Sequence, residues 1–170
     1  ANGGNIVWAV EVDWAAIQLS GVRPAALVNG ILSGADAWKN FRSYLDSDML
    51  PAEPVEVGGW SSIATNTQTL LKKLPDVKAK YGVERLNIIA HSKGGLDSRS
   101  YLRLRDDVDV LVQLGTPNRG SECATIIAGY AAPMTRNLRP NWIFEHFNYT
   151  KVDGRWVLDT PEMMVAPIYI

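Results

Sequence analysis

Two spacings of apolar residues alternate along the chain, one suited to strands and one to helices. Residues 5–14, NIVWAVEVDW, are β-branched and aromatic with partial alternation, which predicts a strand. Residues 25–30, AALVNG, form a short apolar run ending in glycine and predict a buried strand followed by a turn. In SGADAWKNFRSYL, residues 33–45, the apolar positions Ala37, Trp38, Phe41, Tyr44 and Leu45 fall at helical spacing. EPVEVGG (53–59) reads as a strand with a Gly-Gly exit. Residues 61–81 place Ile63, Leu70, Leu71 and Leu74 on one face of a helix, with Ser61 or Ser62 as its N-cap. Pro75 is expected to bend that helix or to end its regular part. RLNIIAH (85–91) predicts a strand, GGLDSRSYLRLR (94–105) a helix, and DVLVQLG (109–115) another apolar run that closes on glycine.

The order over residues 25–115 is therefore β-α-β-α-β-α-β. Strands alternating with helices imply a mostly parallel sheet covered on both faces, an α/β fold. In such sheets sites gather at the carboxyl ends of the strands, where the Gly-rich exits lie. From about 121 to 163 the periodicity weakens, broken by Pro133, Pro140 and Pro161 with Trp142, Phe144, Phe147 and Trp156 between them. This predicts an excursion over the domain, with one or two helices and the position of a lid. Met164–Ile170 reads as a further strand.

Composition narrows the classes. A chain of 170 residues allows one domain with a substantial core. Seventeen Lys+Arg against eighteen Asp+Glu leave a formal charge of −1, without the basic face of a nucleic-acid module or a polybasic membrane anchor. With 46% hydrophobic and 21% charged residues the chain is too apolar for disorder. No apolar run approaches the ~18 residues that a transmembrane segment needs. A single cysteine, Cys123, excludes an internal disulfide and a multi-cysteine metal site, and leaves the compartment open. No metal-ligand cluster and no cofactor motif is visible. The chain opens on ANGGN and closes on the apolar MMVAPIYI, so the expectation is a part of a longer protein.

The chemistry concentrates in LNIIAHSKGGLDS. A buried strand runs into Ala90-His91-Ser92-Lys93-Gly94-Gly95 and then a helix, the A-x-S-x-G form of a nucleophile elbow. A serine on a sharp, strained strand-to-helix turn projects its Oγ into the site. Ala90 and Gly94 are small because larger side chains would collide across the turn. The helix N-terminus favours developing negative charge, and the Lys93 amide would be one oxyanion donor. The plain alternative is a Gly-rich βα turn. A second donor must come from the loop after an earlier strand. Asn29-Gly30-Ile31-Leu32-Ser33-Gly34 is placed to supply it through the Ile31 amide, although alone it reads as an ordinary turn with Ser33 as N-cap.

Together, LVNGILSGADAWKNFRSYL, VEVGGW, LNIIAHSKGGLDS and VLVQLGTPNRGS resemble small bacterial lipases of the α/β-hydrolase superfamily over roughly residues 25–122. NLRP followed by FEHFN (137–148) echoes a lipase segment more weakly. Two positions depart from the family pattern. Asn29 stands where members usually have His, and can still make the loop's hydrogen bonds. Ala90 stands where most have Gly. The resemblance implies a carboxylic-ester hydrolase, lipase- or esterase-like, acting on a lipid or other ester through Ser92 and an acyl-enzyme. It also implies an acid and then a His that would lie beyond Ile170, in a missing C-terminal segment or a second chain. The alternatives are a non-catalytic fragment or subunit, and an acyltransferase or polyester depolymerase on the same scaffold.

The remaining candidates are weighed beside bland roles. The chain has two histidines. His91 is expected to turn away from Ser92 into packing. His146, in IFEHFN, is a possible displaced base or a half-exposed helix residue. Asp97 is expected to pair with Arg99 or Arg103 outside the site. Asp153 and Asp159 have no special context. Lys93 invites a Ser-Lys dyad, against which its side chain is expected to reach solvent or a neighbouring helix. Trp60, at a strand exit, could line an acyl pocket or simply pack. Asn148-Tyr149-Thr150 matches a glycosylation acceptor.

Overall fold

The protein is described as a computed structural model that covers residues 23–31, 33–122, 124, 133–147 and 149–158. The strands expected at 5–14 and 164–170, together with Cys123, Asn148 and Asp159, lie outside the described residues.

Among the described residues four parallel strands form the sheet: β1 (Ala25–Val28), β2 (Ala52–Val55), β3 (Leu86–His91) and β4 (Val108–Leu114), in the order β2-β1-β3-β4. β1 is buried along its whole length, as a central strand covered on both faces must be. A 3₁₀ turn (Ala35–Trp38) leads into α1 (Lys39–Ser47), and α2 (Ile63–Tyr81) and α3 (Lys93–Leu102) complete the alternation. Strand residues segregate by parity. Ala26, Val28, Ile88 and Ala90 meet Leu70, Leu74 and Val77 of α2 and Tyr101 of α3. Ala25, Leu27 and Ile89 meet Trp38, Phe41 and Leu45 on the opposite face.

Helix ends follow their capping residues. The Ser62 hydroxyl accepts from the Thr65 amide at 3.1 Å and starts α2, and Gly82 ends it in the left-handed conformation at φ 63°. α2 runs through Pro75 to Tyr81 without ending there. Pro75 sits on the exposed side of the helix, where water can satisfy the carbonyl that its missing N–H leaves free.

After β4 the described residues include the short helices α4 (Pro133–Asn137) and α5 (Pro140–His146). A hairpin of β5 (Tyr149–Val152) and β6 (Arg155–Leu158) follows, which the hydrophobic pattern did not predict. Its turn, Asp153-Gly154, has positive φ at both residues (47° and 78°), as a type I′ hairpin requires. α5 is anchored through Ile143 and Phe147, which pack with Ile63, Leu96, Leu138 and the half-buried Ile31. The Asn137 side chain accepts from the Ile63 amide at 3.0 Å and ties this region to the head of α2.

Candidate active site

Ser92 occupies a one-residue turn between β3 and α3. Its amide still bonds β4, donating to the Leu114 carbonyl at 2.8 Å, while its own carbonyl already accepts from Gly95 at 3.1 Å. Reversing direction within one residue forces φ 53°, ψ −128°. Such a backbone costs a non-glycine residue ~1–3 kcal/mol and persists only where its surroundings hold it.

Close backbone approaches supply that hold. A Cβ on Gly94 would stand 2.4 Å from the Asn29 carbonyl oxygen and 2.9 Å from that of Val28, so only glycine lets the head of α3 lie on the end of β1. A Cβ on Gly30 would stand 2.7 Å from the Ser92 Cβ. The loop after β1 and the turn at Ser92 are therefore in contact, and the structure brings together the two segments singled out in the sequence. Among the described residues the Ile31 and Lys93 amides donate to no protein acceptor. For Lys93 this is the normal state of the first amide of a helix.

Asn29 makes the hydrogen bonds of its loop. Its Oδ1 accepts from the Val57 amide at 2.8 Å, and its Nδ2 lies 3.1 Å from the Gly30 carbonyl, 2.6 Å from that of Ser33 and 3.1 Å from that of Val57.

Lys93 and Asp97 depart from expectation. Asp97 pairs neither with Arg99 nor with Arg103. Its carboxylate accepts from the Lys93 ammonium at 2.7 and 3.0 Å and from Asn66 Nδ2 at 2.8 Å. Lys93 does not reach solvent: both side chains of the pair are 1% exposed. Residues four apart share a helix face, and the close seating of α3 turns this face inward. Burial pushes the Asp97 carboxyl up to about 6, against the downward pull of Lys93 and Asn66. Burial likewise lowers the Lys93 ammonium, against the pull of Asp97. The ammonium is thus engaged one turn along α3, which counts against a Ser-Lys dyad.

Among the described residues the other candidates make no hydrogen bond to Ser92. His91 is exposed, and its Nδ1 stands 3.2 Å from where a Cβ on Gly30 would lie, against the same loop that touches Ser92. It shares a cavity of about 200 Å³ with Asn29, Ala37, Trp38, Phe41 and Leu114, because strand alternation puts it on the α1 face at the sheet's edge. His146 lies at the C-terminal end of α5. Its ring stacks on Trp142 with centroids 4.0 Å apart, and its Nδ1 is 2.9 Å from the Trp142 carbonyl. Its own carbonyl accepts from Arg103, at the end of α3 away from Ser92. The structure does not bring His146 to the serine. Trp60 stands on an exposed turn after β2 and is 54% exposed. Among the described residues no group of three or more His, Cys, Asp or Glu could hold a metal ion. Sequence reasoning missed Asn66 as a partner of this region, although the Lys93/Asp97 spacing was a signal for the pair itself.

No protein-family model matches the chain. Over 115 residues it is 32% identical to a triacylglycerol lipase of Pseudarthrobacter phenanthrenivorans, covering 61% of this chain and 36% of that protein. Over 109 residues it is 30% identical to triacylglycerol lipase 2 of Saccharomyces cerevisiae, covering 59% of this chain and 32% of that protein. The chain thus spans about a third of the length of the curated relatives it matches. Among solved structures, a Bacillus licheniformis lipase in its mature form superposes with a TM-score of 0.67 at 21% identity, over 74% of this chain and 58% of that one. A metagenomic carboxyl esterase superposes at 0.57 with 18% identity, over 74% and 45%.

The described residues have the α/β-hydrolase fold. The order β2-β1-β3-β4, with the strained serine turn after β3, is the part of the α/β-hydrolase fold that the described residues make up. The expected fold class is the observed one. Among the described residues no helix is long and apolar enough to cross a membrane.

Proposed function

We propose that this chain carries the nucleophile of a carboxylic-ester hydrolase of lipase or esterase type. Ser92 Oγ attacks the acyl carbonyl carbon, and its proton passes to a general base. The carbonyl oxygen becomes an oxyanion held by the Ile31 and Lys93 amides. Collapse expels the alcohol, which takes up the proton, and leaves an acyl-enzyme on Ser92. Water then cleaves the acyl-enzyme by the same route. The observation that carries this reading is the backbone of Ser92, φ 53° at a strand-to-helix turn with the Gly30 loop against its Cβ. Strain of that kind clusters at functional sites, where it presents a side chain. α5, which packs on Ile31, Ile63 and Leu96 through Ile143 and the following Phe147, would serve as a wall or lid over the acyl chain. Trp60, exposed after β2, would contact substrate only at the rim.

The test is intact-mass spectrometry after exposure of the full chain to a fluorophosphonate. One adduct mapped to Ser92, absent in Ser92→Ala, together with ester cleavage lost in the same variant, is the expected result. Wild-type ester turnover in Ser92→Ala would sink the assignment. A second reading has its own observation: among the described residues no histidine or carboxylate hydrogen-bonds Ser92. On that reading the chain folds and holds the nucleophile, and base and acid reach it from elsewhere. A folded chain that takes no phosphonate would favour it.

A further inference from the structure

Two asparagines treat neighbouring peptide groups alike. Asn29 brackets Val57, with Oδ1 accepting from the Val57 amide at 2.8 Å and Nδ2 3.1 Å from its carbonyl. Asn66 brackets Gly58, with Oδ1 accepting at 3.0 Å and Nδ2 donating to its carbonyl at 2.9 Å. Each carboxamide stands in for a strand partner of one residue. Asn66 Nδ2 also donates to Asp97, which holds Lys93. Asn29, Asn66, Lys93 and Asp97 are each 1% exposed. The result is one continuous line, Asn29–Val57–Gly58–Asn66–Asp97–Lys93, buried except at the exposed Gly58, joining the loop after β1, the loop after β2 and the head of α3.

We propose that the Val57–Gly58 segment is a splint that sets the separation of the Ile31 and Lys93 amides, with Asn66 and Asp97 as positioning residues. The inference rests on the reading of those two amides as oxyanion donors. One end of the line lies two residues before Ile31, and the other is the side chain of Lys93 itself. Neither amide belongs to a strand ladder or to a helical hydrogen bond, so their separation depends on what holds the chain on either side. Donors for an oxyanion must be fixed to within about 0.5 Å, which loops achieve only when a second layer of contacts supports them. A role in stability alone does not explain the arrangement. A buried Lys–Asp pair loses hydration that an apolar pair of similar size would not lose. An apolar pair, however, could not hold Asn66 against the Gly58 peptide.

Lys93→Met/Asp97→Leu in the full chain removes the ion pair and keeps every backbone amide. The splint requires that the Gly58 amide, untouched by either substitution, exchange with solvent at least tenfold faster, with no matching rise at Leu70 and Leu74 in α2. It also requires that the Ile31 amide resonance, across the splint from both substitutions, shift in the ¹⁵N–¹H spectrum. Where ester turnover is measurable, kcat falls about tenfold with KM within twofold. If the double variant does not fold, Asn66→Ser, which lies outside the elbow, must show the same Ile31 shift and kcat loss. An unmoved Ile31 resonance with unchanged Gly58 exchange in either folded variant overturns the proposal, as does an equal acceleration of all amides. If the wild-type chain takes no phosphonate and turns over no ester, the donor reading fails by itself. The exchange and resonance data would still decide whether the splint exists.

Discussion

A Lys–Asp pair stands at each end of α3, and the two sit in different surroundings. At the elbow, Lys93 and Asp97 are each 1% exposed and bonded at 2.7 Å. At the far end, Lys78 of α2 meets Asp107 just before β4, with exposures of 19% and 18%, and the Tyr101 hydroxyl donates to the same carboxylate at 2.9 Å. Water softens the second pair, which fastens α2 and α3 to the approach to β4. The first pair is dry, touches the loop after β2 through Asn66 and follows directly on the serine. One end of the helix is arranged for folding, and the other trades hydration for fixed geometry.

Removing one member should separate the two ends most widely. Asp97→Ala leaves a buried ammonium without a counter-charge and is expected to cost about 3–5 kcal/mol. Asp107→Ala frees a Lys that can reach water and leaves one tyrosine hydroxyl unpaired, an expected loss of about 1–2 kcal/mol. Chemical denaturation at neutral pH reads both. Equal losses would mean that the elbow pair is as wet in solution as the distant one.

Acidity is a gentler way to probe the same contrast. The folded Asp97 carboxyl lies at about 6, above its ordinary 3.8, because burial disfavours its charge. Between these values the native state binds more protons at this site than the unfolded chain does. Stability from Asp97 is therefore fully present below about pH 4 and lost as pH rises through 6. Denaturation curves for wild type and Lys93→Met/Asp97→Leu should show the variant gaining on wild type from pH 4 to 6. Parallel curves would show that Asp97 is not raised.

How much of this was legible depended on range. The strand and helix order over residues 25–115 follows from period and glycine exits, and β1 to β4 with α1 to α3 fall where the pattern puts them. The elbow was legible because its constraint is local: small residues must flank the serine, and the sequence places Ala90 and Gly94 there. The Asp153-Gly154 hairpin is also local, and Asp-Gly is a strong short-range turn signal that the apolar period does not register. Asp97 pairs with Lys93, one helical turn back on the same face, and not with Arg99 or Arg103, which stand two and six positions on. Burial decides the pairing, since Gly94 and Gly95 seat α3 too closely for position 97 to face solvent. Asn66 was illegible for a different reason: its partners lie 8 and 31 residues away in sequence. No periodicity marks an asparagine that will stand in for a strand.

The smallest expected effect tests the far end from the side of chemistry. His146 is exposed, its ring lies on Trp142, and its Nδ1 faces a carbonyl of its own helix. Arg103, whose guanidinium holds the His146 carbonyl, caps α3 eleven residues after Ser92. At 1.5 Å per residue that is ~16 Å along the helix, far beyond the reach of a proton transfer. His146→Gln keeps a polar, similarly sized side chain on Trp142. Phosphonylation of Ser92 should then stay within twofold of wild type, and stability within about 0.5 kcal/mol. A large loss of phosphonylation at unchanged stability would mean that α5 swings its C-terminal end to the serine. The two ends of α3 would then share the chemistry proposed for one.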